Sequence, residues 1–132
     1  MMSVRLEGKA MLIVFAGLPG TGKSTIARAL AAELDAVWVR VDSIEQAIRA
    51  SGVVDGDLQD VGYRAAYAVA EDNLRLGRTV IGDSVNAWTL TRDAWRDVGL
   101  RTGVCVVEVE TVCSDPSEHR RRIERARMRC QG

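Results

Sequence analysis

Gly17-Leu18-Pro19-Gly20-Thr21-Gly22-Lys23-Ser24 follows an unbroken apolar run, Ala10-Met11-Leu12-Ile13-Val14-Phe15-Ala16, and precedes a segment of helical spacing. The octapeptide satisfies G-x-x-x-x-G-K-[ST] at every fixed position. Glycines free the backbone to turn its N–H groups toward phosphate oxygens. The helix that follows aims its positive end at the same point. Lys23 adds a point charge for the β- and γ-phosphates, and the Ser24 hydroxyl suits Mg²⁺. Lys9 and Lys23 are the only lysines in a chain that otherwise uses arginine, so a lysine at the one required position is not a chance event. Gly17, Leu18, Pro19, Gly20, Thr21, Gly22, Lys23, Ser24 and the adjoining Thr25 are therefore read as the binding loop for Mg·ATP.

The loop needs a strand before it and a helix after it, and the flanks supply both. An apolar run of that length is a strand covered on both faces, as in a parallel sheet. In Ser24–Leu34, Ile26, Ala27, Leu30, Ala31 and Leu34 fall on one helical face. Val37–Val41 reads as a second strand, with Asp42 and Ser43 capping a helix to about Ala50. Ser51–Asp60 is a loop, Val61–Leu76 a long helix closed by Gly77, and Thr79 to about Asp83 a third strand. Thr89 or Thr91 opens a helix stopped at Gly99. Val104–Val109 is a fourth strand. Asp115 and Pro116 suit the start of an arginine-rich helix over Ser117–Met128. Strands alternating with helices predict a three-layer α/β sandwich: a mainly parallel sheet of four or five strands with helices on both faces. At 132 residues, with no repeat or linker, the chain reads as one domain over 1–132.

Composition narrows the function. Eighteen Lys and Arg balance eighteen Asp and Glu, so no global charge draws the chain to nucleic acid or an anionic membrane. No apolar run approaches the ~20 residues that span a bilayer. Cys105, Cys113 and Cys130 match no zinc spacing and are expected to be reduced thiols of a cytoplasmic protein. His119 is the sole histidine, which disfavours Ser–His–Asp chemistry.

Ligands of open α/β sheets bind at the carboxyl ends of the strands. Asp42 ends the second strand, where a carboxylate can take a proton from an attacking hydroxyl; a plain helix cap is the competing reading. Asp83 ends the third strand, placed to orient Mg²⁺ together with Ser24, or else to cap a turn. The run His119–Arg127 holds five arginines. It reads either as a solvated helix face or as a lid whose arginines stabilise charge over the phosphates. Arg122 and Arg125 share a face if the segment is helical.

Taken together, Gly17–Thr25, Arg40-Val41-Asp42, Gly82-Asp83-Ser84-Val85-Asn86 and Cys113–Arg122 resemble the small P-loop kinases. These proteins are often labelled AAA-family ATPases and are similar to gluconate kinase, chloramphenicol phosphotransferase, polynucleotide kinase and zeta toxin. The resemblance covers about Met11 to Glu124. It implies the P-loop NTPase fold, ATP as donor, Mg²⁺ as cofactor, and a hydroxyl acceptor on a small molecule or a 5′-hydroxyl nucleic-acid end. It implies that Lys23, Asp42 and the lid arginine Arg122 act in catalysis, with Asp42 as the base. Arg40, Tyr63, Arg64 and Tyr67 would line the acceptor pocket.

The chain departs from the family in two places. The lid's second arginine, four residues past Arg122, is Ala126 here, and Arg125 or Arg127 would take its catalytic place. Members also continue into further helices and a fifth strand, whereas this chain stops at Cys130-Gln131-Gly132. The expectation is an open sheet edge that a partner, a homodimer contact or a rearranged lid helix would cover. The alternative to a kinase is a module that holds ATP, or hydrolyses it slowly, without an efficient acceptor reaction.

Overall fold

The structure, a computed structural model, describes residues 10–17, 22–85, 89–115 and 120–130. Within these the elements run β1 (Met11–Ala16), α1 (Lys23–Leu34), β2 (Val37–Arg40), α2 (Val41–Ser51), α3 (Val61–Arg75), β3 (Val80–Asp83), α4 (Thr89–Thr102), β4 (Cys105–Asp115) and β5 (Arg120–Arg129). The sheet order is β2-β3-β1-β4-β5. The first four strands are parallel, and β5 runs antiparallel to β4.

The apolar run of β1 takes the centre because both of its faces are covered. Leu12 and Val14 join Ala66, Ala70 and Leu74 of α3 with Trp95 and Val98 of α4. Ile13 and Phe15 point the other way, onto Ala27 and Ala31 of α1. The two-residue period of a strand thus divides one apolar sequence between two cores. The mainly parallel three-layer α/β sandwich read from the sequence is the fold. Among the described residues no helix is long and apolar enough to cross a membrane.

Gly99 does not stop α4, which runs on to Thr102. A Cβ at Gly99 would collide with Val106 Cγ2, so this glycine exists for close helix–strand packing. Gly103, at φ 70°, is where the chain turns. Gly82 has a similar reason: its Cβ would meet the Trp95 ring at 2.7 Å. Trp95 is 1% exposed and has nowhere to move. Gly82→Ala should therefore cost roughly 1–3 kcal/mol by overpacking. Chemical denaturation measures this, and an unchanged midpoint would show that the ring shifts freely.

The largest correction concerns the arginine-rich segment. It is strand β5, not a lid helix, and β4 extends six residues beyond Val109 to meet it. Asp115 ends β4 rather than capping a helix, and residues 116–119 lie outside the described residues. The physical reason lies in the apolar content of the segment. Ile123, Ala126 and Met128 are too sparse to make a docking face for a helix. As a strand, the segment pairs its backbone with the open edge of β4. It also brings Arg129 Nε to 3.1 Å from Glu108 Oε1, a cross-strand ion pair. The open edge of β4 is therefore covered by the rearranged lid segment of the chain itself, and β5 is the outermost strand on that side. Cys105 and Cys130 form a disulfide beside this ladder, so these two are not the reduced thiols expected.

Candidate active site

Helix α1 begins at Lys23 with Gly22 as its N-cap at φ 81°, a conformation that favours glycine. No side chain caps this helix and its first turn carries no acid. Its N-terminal amides and positive end are thus unopposed within the helix, the condition for binding an anion. Gly17 sits at φ 154°, and its N–H donates to the Val85 carbonyl at 3.4 Å. The start of the loop is thereby fixed to the segment after β3. Leu18, Pro19, Gly20 and Thr21 lie outside the described residues.

Asp83 is 1% exposed at the end of β3, in register with Phe15 of β1 and Arg40 of β2. Its two oxygens are both engaged. Lys23 Nζ lies 2.5 Å from Oδ1, and Trp38 Nε1 donates to Oδ2 at 3.1 Å. A buried carboxylate needs such partners, because removal from water is costly for an unpaired charge. The pair also holds the Lys23 ammonium at the mouth of the loop.

Asp42 is not the helix cap. Arg40 occupies that position, and Asp42 lies in the first turn of α2. Its Oδ2 accepts from Arg40 Nη2 at 3.1 Å and from Gln46 Nε2 at 2.9 Å. The same guanidinium donates through Nε to Ser24 Oγ at 3.2 Å and through Nη1 to Ser43 Oγ at 3.2 Å. Arg40 thus joins Ser24 of the loop to Asp42 at the strand end. The structure brings Lys23, Ser24, Asp42 and Asp83 to one edge of the sheet, the carboxyl ends of β1, β2 and β3.

Arg122 and Arg125 fall elsewhere. They pair with Val112 and Glu110 in the β4–β5 ladder, at the opposite edge of the sheet from β2. The arginines gathered near the end of β1 are instead Arg92, Arg96 and Arg127. They line a cavity of about 80 Å³ that reaches Ala16. Arg96 is committed there to a two-pronged pair with Glu108, each contact 3.1 Å.

A larger cavity, about 660 Å³, opens between loop residues 57–60, Tyr63 and Arg64 of α3, Val85, and Leu90 and Thr91 of α4. Of the residues expected to line an acceptor pocket, Tyr63 and Arg64 line this cavity. Tyr67 instead packs edge-on against Trp95, with ring centroids 4.8 Å apart. Arg40 is at the Ser24–Asp42 junction.

Residues 12–130 match the AAA domain family. The chain belongs to that family. Shikimate kinase of Corynebacterium glutamicum is 33% identical over 132 residues, covering 88% of this chain and 78% of that protein. Among solved structures, an APS kinase of Mycobacterium tuberculosis superposes with a TM-score of 0.64 at 22% identity, over 77% of this chain and 75% of the other. A putative kinase from Chloroflexus aurantiacus superposes at 0.68 with 20% identity, over 79% and 60%. The structural likenesses speak to fold, and the sequence relative to kinship. Together they make the chain a small P-loop kinase, an ATP-dependent phosphotransferase. They favour this over a module that merely holds nucleotide.

Sequence reasoning missed Trp38 as the second partner of Asp83 and Arg40 as the Ser24–Asp42 bridge. A signal was present: both sit at alternate positions of the strand that precedes Asp42, so they share a face.

Proposed function

We propose that this kinase transfers the γ-phosphoryl group of Mg·ATP to a hydroxyl of a small molecule, with Asp42 as the base. The arrangement at the sheet edge carries the reading: an ammonium and an uncapped helix N-terminus, with Arg40 linking Ser24 of that helix to the Asp42 carboxylate. The loop amides and Lys23 bind the phosphates, and Lys23 turns from Asp83 toward them. Asp42 accepts the hydroxyl proton as the acceptor oxygen bonds to phosphorus and the bond to the β-phosphate oxygen breaks, releasing ADP. The donor set suits Mg²⁺ poorly as a protein-only cage, since no group of three or more His, Cys, Asp or Glu gathers among the described residues. It suits the mode in which Mg²⁺ binds mainly to phosphates and water with one or two protein groups. Ser24 and Asp83 are those groups, and the bound ion would neutralise charge developing on the phosphates. Arg40 must release Ser24 Oγ for this, because a guanidinium and a dication cannot share one hydroxyl oxygen.

The test is an acceptor panel with ATP, starting from shikimate because of the relative's name and extending to sugars, amino sugars and 5′-hydroxyl oligonucleotides. An acceptor-free control runs alongside. Phosphorylated product from a small molecule, with ADP formed in equal amount, is expected. ADP release independent of any acceptor would make the chain a hydrolase instead.

A further inference from the structure

The cavity beside α3 is joined to the donor loop by the backbone. Val85 forms part of its wall, and the Val85 carbonyl accepts the N–H of Gly17, the first residue of the loop. Asp83 is two residues upstream. A volume of about 660 Å³ lies within the roughly 300–1,000 Å³ typical of small-molecule sites.

The lining has a definite charge. Asp57 and Asp60 contribute two carboxylates, and Arg64 is the one cation among the described lining residues. Arg64 Nε donates to Asp60 Oδ2 at 2.9 Å. Asp60 also stands at the N-cap of α3, where it offsets the positive end of that helix. The Arg64 and Asp60 side chains are 76% and 53% exposed, so the pair is solvent-screened and takes neither member out of play. Asp57 uses Oδ1 to accept the Gln59 N–H at 2.8 Å, and its other oxygen has no partner among the described residues. Behind the wall, burial pushes the Tyr67 phenol up to about 12, with the charges of Tyr63 and Asp60 adding to the effect. Two carboxylates against one guanidinium leave the described lining with a net negative charge.

The remaining wall is apolar and aromatic. Leu90 is 73% exposed and Val85 37%, so both aliphatic side chains are open to contact with a carbon skeleton. Tyr63 offers a ring face, which attracts cations as well as packing against carbon.

We propose that this cavity is the acceptor subsite and that it selects a hydroxyl compound carrying an amine, an amino alcohol or amino sugar, over carboxylated or phosphorylated counterparts. The ammonium pairs with Asp57 and Asp60, while the skeleton rests on Tyr63, Val85 and Leu90. The inference rests on the kinase reading above and names the acceptor class for it.

The experiment compares sets of matched polyols, each as its amine, its neutral form and its carboxylate, in two ways. Phosphoryl transfer is followed by product formation with Mg·ATP, and binding by calorimetry with a non-hydrolysable ATP analogue. Amines should be preferred over their neutral counterparts by about tenfold or more. Asp57→Asn should bring that ratio close to one. It keeps the turn to Gln59, since the asparagine oxygen still accepts, so the variant folds. Asp60→Asn should do the same. Equal use of all three forms, preference for the carboxylate, or an amine preference untouched by both variants would overturn the inference. Amine binding that depends on Asp57 without any transfer would support the subsite and refute the kinase reading. Transfer confined to carboxylates would do the reverse. Neither binding nor transfer of any amine would overturn the subsite.

Discussion

Lys23→Ala should weaken ATP binding by about two orders of magnitude, the scale of losing a charge-assisted contact to phosphate. It should also lower folding stability, and the second effect has a separate cause. Asp83 is buried, with Lys23 at 2.5 Å and the Trp38 indole at 3.1 Å as its partners. Removing one member of a buried pair costs roughly 3–5 kcal/mol, because the other charge is left uncompensated. A weak binder that is also poorly folded would be ambiguous, so the pair is tested as a cycle. Lys23→Ala combined with Asp83→Asn removes both charges, and the introduced amide oxygen can still accept from the indole. This double variant should regain most of the lost stability in thermal unfolding, yet bind ATP no better than the single variant in calorimetry. Recovery of ATP affinity along with stability would show that Lys23 acts by holding the fold, not by meeting phosphate. Unchanged ATP affinity in the single variant would remove the loop from the nucleotide site.

The fold was legible where local pattern and global architecture agree. Met11–Ala16 is apolar at every position, which only a strand covered on both faces explains, and β1 lies at the sheet centre. Lys23 and Asp83 could each be placed at a strand or helix end from the sequence. That they meet is a matter of sheet order: β3 lies next to β1 although it is far along the chain. Arg40 was legible as a site-proximal residue, but its side chain can reach in several directions, and one strand's sequence does not choose among them. The arginine-rich segment failed for a different reason. Its local composition favours helix, since arginine and alanine are good helix formers. An open strand edge carrying Glu108 and Glu110 outweighed that preference, and such an edge is a property of the assembled sheet. The loop at 57–60, which walls the larger cavity, has no periodicity to read, so its contribution to a pocket emerged only from the packing of α3 and α4.

Asp42→Asn separates binding from chemistry. The side chain of Asp42 is 54% exposed and its partner Arg40 is 35% exposed, so the ion pair is solvent-screened. Such pairs are worth about 0–1 kcal/mol. An asparagine oxygen can still accept from Arg40 and Gln46. The variant should therefore fold as the parent does and bind ATP with unchanged affinity. Loss of a positioned general base typically removes about 10²–10⁴ in rate. Transfer to the acceptor found by the panel should fall by that amount in kcat, with KM for ATP nearly constant. If transfer keeps its parental rate, Asp42 is not the base. If KM for ATP rises while kcat holds, the carboxylate acts on the donor side instead, through Arg40 and Ser24. The two outcomes are distinguishable because Arg40 is the link between Asp42 and the loop. Arg40→Ala cuts that link and leaves both ends in place. In that variant a base should keep its effect on kcat, whereas a donor-side role should disappear with the link.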